Sequence, residues 1–80
     1  MDYALPRQGF KVEAYAGFKG EDTPRAFTLS GSHHVVVEIL DHWYSETHSY
    51  FRVRTADGRY VLRFDLDRLE WELVMEEHSR

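Results

Sequence analysis

The chain contains no cysteine. Disulfides, thiolate zinc sites and cysteine nucleophiles are therefore all excluded. No segment approaches the roughly 18 consecutive apolar residues of a membrane-spanning helix. A basic excess is also missing: ten Lys and Arg stand against fourteen Asp and Glu, a net charge of −4. That balance excludes a generally basic nucleic-acid coat, though not a local basic face. The opening Met1-Asp2-Tyr3-Ala4-Leu5-Pro6 is acidic, has no long apolar stretch and does not read as a signal peptide. Internal repeats and low-complexity tracts are absent. These absences lead to the expectation of a soluble, cytoplasmic protein with no membrane association.

What is present suits one small globular domain. Eighty residues leave no room for a second. Hydrophobic residues make up 42% and charged residues 30%, a balance that can support a core. Aromatics reach 15%, so much of that core is ring surface.

The dominant period of the apolar residues is two, which is the period of a half-buried strand. Phe10, Val12, Ala14, Ala16 and Phe18 alternate with polar positions, and Lys19 to Pro24 breaks the run. Arg25 to Ser30 resumes it with Phe27 and Leu29, and Ser30-Gly31-Ser32 reads as a turn. His33 to Trp43 reads as one long strand with Val35, Val37 and Ile39 inward; its three consecutive β-branched valines favour strand over helix. A helical tail around Glu38 to Tyr44 is the lesser alternative. Tyr44 to Ser49 is polar and loop-like, and Tyr50 to Thr55 is a strand with Phe51 and Val53 inward. Asp57-Gly58 reads as a two-residue hairpin turn. Tyr60, Leu62 and Phe64 continue the inward face, Leu66 to Leu69 connects, and Trp71, Leu73 and Met75 complete it.

These assignments set Val53 opposite Leu62, Phe51 opposite Phe64, Phe64 opposite Trp71, Leu62 opposite Leu73 and Val53 opposite Ile39. Apolar meets apolar throughout, and a one-residue slip would turn every side chain over. The expectation is an all-β fold: six antiparallel strands in a meander, curled into a small partial or closed barrel. Residues 1–9 form a flexible arm, residues 10–75 the domain and residues 76–80 a polar tail. A core this small supports a stability of about 3–5 kcal/mol.

Two surfaces stand out. The same register places Arg52, Arg54, Arg59 and Arg63 outward, with Arg52 opposite Arg63, a repulsive pairing that a phosphate backbone would neutralise. It also places Glu72 opposite Arg63 and Glu38 opposite Arg54. The face therefore reads first as a solvated charge ladder and second as a nucleic-acid contact. The segment Asp41 to Tyr50 concentrates aromatics, histidines and carboxylates, the makings of a binding hot spot. Trp43, Tyr44, His48 and Tyr50 are the candidate partner-binding residues, with Trp43 expected to be mostly buried and Tyr44 exposed.

The remaining chemistry is thin. His33 and His34 are adjacent on a strand and point to opposite faces. His42 and His48 flank the loop, with Asp41 or Glu46 as a third metal ligand, but no zinc spacing occurs. Ser45, His48 and Asp41 make an imaginable catalytic set without a nucleophile elbow or a cleft. No metal, no cofactor and no catalytic residue is expected.

The spacing Ala26-Phe27-x-Leu29, Gly31, Val35-x-Val37, Ile39-Leu40-Asp41-x-Trp43 resembles the first half of a small bacterial domain family of unknown function. Tyr50-Phe51-Arg52-Val53-Arg54-Thr55-x-Asp57-Gly58, Tyr60-x-Leu62 and Trp71-x-Leu73 resemble its second half. The likeness spans about residues 10 to 75 and rests on core and turn positions. Similar domains form the C-terminal tails of Y-family DNA polymerase-like mutagenesis proteins, which implies an accessory or docking role near DNA repair. The chain departs from that family in having Leu29 where a tryptophan is usual, and in a less tryptophan-rich loop at Tyr44 to His48. The function expected is thus a non-enzymatic protein-docking module, monomeric or weakly dimeric, with a nucleic-acid accessory domain as the alternative.

Overall fold

The computed structural model describes residues 9–15 and 23–78. They form seven strands and no helix: β1 (Lys11–Tyr15), β2 (Thr23–Leu29), β3 (Ser32–Val35), β4 (Glu38–Tyr44), β5 (His48–Arg54), β6 (Gly58–Asp65) and β7 (Glu70–His78). The alternating pattern dictates this all-β outcome. Every pairing is antiparallel, in a three-stranded sheet β1-β2-β3 and a four-stranded sheet β4-β5-β6-β7.

The expected six-strand meander is therefore corrected to seven strands in two sheets that do not close into a barrel. The reason lies at Val36-Val37. Val36 N donates to Arg25 O on β2, and Val37 N donates to Arg54 O on β5, each at 2.9 Å. The supposed single strand His33 to Trp43 thus hands the chain from one sheet to the other. The expected strand from Phe10 is observed as Lys11–Tyr15; its continuation to Phe18 and the arm at 1–8 lie outside the described residues.

One core serves both sheets. Phe27, Phe51, Val53, Tyr60, Leu62 and Leu73 are buried together, with Phe10, Val12, Leu29, Val36 and Trp71 packed around them. Phe27 joins the layers, its ring edge-on to Tyr60 at 4.9 Å and stacked on His34 at 5.1 Å. Val35, Val37 and Ile39, expected inward, are exposed instead. In β3 the residue opposite Phe27 is His34, so His34 shares Phe27's face and Val35 takes the other.

Turns fix the registers. Ser30 (φ 50°) and Gly31 (φ 87°) give the β2–β3 hairpin its two left-handed central residues. Between β6 and β7 the four-residue connection Leu66 to Leu69 sets Phe64 opposite Trp71, Leu62 opposite Leu73 and Arg63 opposite Glu72, as the sequence predicts. The β5–β6 turn differs. Thr55 N donates to Gly58 O at 2.8 Å, so the chain reverses over Ala56-Asp57 rather than Asp57-Gly58. Asp57 N also donates to the buried Thr55 Oγ1 at 3.1 Å. The register moves by two residues: Val53 faces Tyr60 and Phe51 faces Leu62, not Leu62 and Phe64. A slip of two preserves the inward face, so the core composition survives the correction. β6 consequently starts early, and β7 runs through Glu76–His78 to pair with it, where a polar tail was expected.

Candidate interaction surface

β4 departs from simple alternation. Its register against β5 shifts between Ile39 and Asp41, leaving Leu40 as an extra residue. Ile39 pairs with Val53, as expected, but beyond the bulge His42 pairs with Phe51 and Trp43 with Tyr50. One inserted residue reverses the parity of everything after it. His42 is turned onto the inner face, stacked on Phe51 at 4.0 Å with its Nε2 2.9 Å from Ser49 Oγ. Trp43, expected to be buried, is turned outward and is 42% exposed.

There Trp43 and Tyr50 stack face to face, their rings within 3° of parallel and 5.3 Å apart. His48 lies beside them, 6.0 Å from the Tyr50 ring. Of the candidate partner-binding residues, Trp43, His48 and Tyr50 are thus brought together on the outward face of the four-stranded sheet. Tyr44 is exposed, as expected, but falls on the opposite face beside His42, 4.8 Å away. The supposed long loop is a hairpin whose connection is only Ser45-Glu46-Thr47. Ser45 Oγ holds it by accepting from the backbone N–H groups of Thr47 and His48.

The arginines share this outward face. Arg54 Nε donates to Glu38 at 3.1 Å, and Arg52 Nη2 to Glu77 at 3.3 Å. Arg63 Nε donates to Glu72 Oε1. Arg63 is opposite Tyr50 rather than Arg52, because of the two-residue shift in the β5–β6 register. The opposed cations are Arg54 and Arg59 instead. Three of the four candidate arginines are therefore hydrogen-bonded to acids, and the fourth, Arg59, lies opposite Glu77 in the β6–β7 register, the charge-ladder arrangement. Burial pulls the Arg63 guanidinium down, but hydrogen bonds to Glu72 and Tyr50 outweigh it and hold its pKa above the ordinary value.

Sequence reasoning missed what lies around His48. Its Nε2 is 3.5 Å from both Asp65 Oδ2 and Glu72 Oε1, and its Nδ1 is 2.7 Å from Thr47 Oγ1. The β5–β6 register sets Asp65 directly opposite His48, and the two-residue difference in that register is what hid it; Glu72 follows from the β6–β7 register, which sets it opposite Arg63. Asp65 Oδ1 also accepts from the backbone N–H groups of Arg68 and Asp67 at 2.9 Å each. The Arg68 N–H bond, with support from Asp67 and His48, lowers the Asp65 pKa against the opposing effect of burial.

Two imagined sites dissolve. His42 and His48 occupy opposite faces of the sheet and cannot share an ion. Among the described residues no group of three His, Asp or Glu is arranged to hold a metal. The ring nitrogens of His48 meet Thr47, Asp65 and Glu72, and neither Ser45 Oγ nor Asp41, so the imagined Ser45–His48–Asp41 set is not assembled. No family model, curated protein or solved structure matches the chain.

Proposed function

We propose that the chain is a non-enzymatic, cytoplasmic docking module that receives a protein partner at the Trp43–Tyr50 end of the outward sheet face. The observation that carries this is the parallel Trp43–Tyr50 pair, with the indole 42% exposed on a face whose neighbouring cations mostly have acids of their own. Exposed rigid rings beside polar groups supply large contact area at little conformational cost, which is the character of hot-spot residues. His48, beside Tyr50, gives the pair a polar margin; Tyr44, on the other face, is not part of it.

Affinity capture with the full chain tests the proposal. Trp43→Ala, checked for folding by circular dichroism, is expected to lose the partner that the unaltered protein retains, while Arg52→Glu keeps it. Equal capture by Trp43→Ala and the unaltered protein would overturn the reading.

A second reading rests on Arg54 and Arg59, directly opposed across β5 and β6. A phosphate between them would relieve that repulsion, as in a nucleic-acid accessory domain near repair machinery of the kind the family resemblance implies. It requires oligonucleotide binding that weakens steeply with salt and disappears in Arg54→Glu with Arg59→Glu.

A further inference from the structure

We infer that two copies of this chain dock through unlike surfaces: the β6–β7 turn of one copy, Leu66 to Leu69, seats in the crevice between the two sheets of another. This contact uses neither ring of the Trp43–Tyr50 pair and stands apart from the docking reading above.

The turn is exposed and held rigid. All four of its residues are exposed, Leu69 to 70% and Leu66 to 44%. Leu69 N donates to Asp65 O at 2.8 Å, and Leu66 N donates to Thr47 O at 2.9 Å. Asp65 Oδ1 accepts from the N–H groups of Asp67 and Arg68. Leu69 nevertheless keeps φ 58°, where a glycine would sit without strain. Backbone strain retained under an exposed apolar side chain points to a use for that side chain. A turn fixed in this way loses little freedom on docking.

The crevice offers the complementary shape. It lies where the chain crosses between sheets at Val36-Val37, beside the start of β2, the end of β3 and the start of β4. Its volume is about 330 Å³, and Tyr15, Val35, Val37 and Ile39 line it with exposed apolar surface. Its charged lining residues are Arg25 and Glu38. Glu38 is bound to Arg54, whereas the Arg25 guanidinium, 4.9 Å over the Tyr15 ring, meets no carboxylate among the described residues. Between the two leucines of the turn, the Asp67 carboxylate is likewise without a cation among the described residues. Apolar tip thus meets apolar crevice, and an unmatched acid on one meets an unmatched cation in the other.

Every copy carries both halves, and no copy can join its own. Glu38, Arg54 and Arg59 pair in a row at one end of the four-stranded sheet, and Asp65 pairs with Glu70 at the other. The crevice adjoins the first end and the turn forms the second, a strand length of roughly 25 Å apart. The contact is small, and each copy carries a net charge of −4, so the association is weak.

Sedimentation equilibrium of the full chain up to about 1 mM tests this. The unaltered protein is expected to rise in mean mass with concentration. Leu69→Gly and Val37→Glu, each checked for folding by circular dichroism, are expected to stay monomeric. Mixed in equal amounts, the two variants are expected to form one-to-one dimers and nothing larger, because one brings an intact crevice and the other an intact turn. Asp67→Arg should weaken association about tenfold, and adding Arg25→Asp to it should restore most of the loss. An unaltered chain that stays monomeric throughout overturns the inference and leaves the crevice to another occupant. Association that survives either variant alone does so too, since the contact would then lie elsewhere or join like surfaces. A mixture that stays monomeric is equally fatal, because turn and crevice would not meet. Trp43→Ala leaves both halves intact and should associate as the unaltered protein does; loss of association there would assign the contact to the aromatic face instead.

Discussion

Glu72 accepts a hydrogen bond from Arg63 on the outward side of the four-stranded sheet, and the glutamate is only 5% exposed there. A charge held that far from water depends on its partner. Arg63→Ala strands the Glu72 carboxylate, with only His48 Nε2 at 3.5 Å as a substitute. The expected loss is about 3 kcal/mol in urea unfolding. Arg63→Met combined with Glu72→Leu should recover most of it, because the second change removes the buried charge. A double variant no more stable than Arg63→Ala alone would show that the pair is not the source of the loss.

The β5–β6 turn yields a second prediction. Thr55 is 4% exposed, and its hydroxyl oxygen accepts from Asp57 N while donating to Gly58 O at 3.3 Å. Thr55→Val keeps the shape and leaves both groups without this partner, so it should cost about 1 kcal/mol, with Thr55→Ser costing less. Equal stability of the three proteins in urea would mean that the turn is held by other contacts.

Reading the sequence recovered the inward face far better than the joints. Phe51, Val53, Tyr60 and Leu62 are buried as their alternation predicts, because side-chain period is a local property. Turn position is less local. Asp57-Gly58 is a strong hairpin signal, yet the Thr55 hydroxyl, which buries and caps the turn one step earlier, outcompeted it. The bulge at Leu40 left no mark in the composition. A five-residue loop from Tyr44 to His48 gives the right partner for Ile39 and the wrong one for Trp43, since the true loop is shorter and the bulge absorbs the difference. Alternation alone therefore places Tyr50 on the correct, outward face and Trp43 on the wrong one. The carboxylates around His48 come from strands far along the chain, and only the assembled sheet brings them together.

Alkaline pH should reveal Tyr60. Burial, with Asp57 and Glu76 adding repulsion, raises its pKa above the ordinary value of 10.0. The folded state then keeps the phenolic proton when the unfolded chain begins to lose it. Stability from this group is fully present below the ordinary tyrosine value and is lost as pH rises through the raised one. Tyr60→Phe should flatten that alkaline decline. A decline of the same steepness in Tyr60→Phe, measured by urea unfolding across the alkaline range, would assign it to another group.

Leu69 offers a stabilising change. It is 70% exposed and adopts φ 58°, a left-handed conformation that costs a β-carbon-bearing residue energy. Leu69→Gly relieves this strain but gives the unfolded chain more freedom, for a net gain of about 0.5 kcal/mol. Leu69→Val, which tolerates that backbone less well, should move the thermal midpoint the other way. If both variants melt below the unaltered protein, the strain at Leu69 is too small to matter.

The extra residue at Leu40 sits between two stretches of β4 that already match consecutive partners on β5. Deleting that one position would close the bulge and keep every flanking pair, with Ile39 against Val53, Asp41 against Arg52 and the indole of Trp43 still outward beside Tyr50. A lineage of such chains can thus gain or lose that residue by indel without changing which ring it displays.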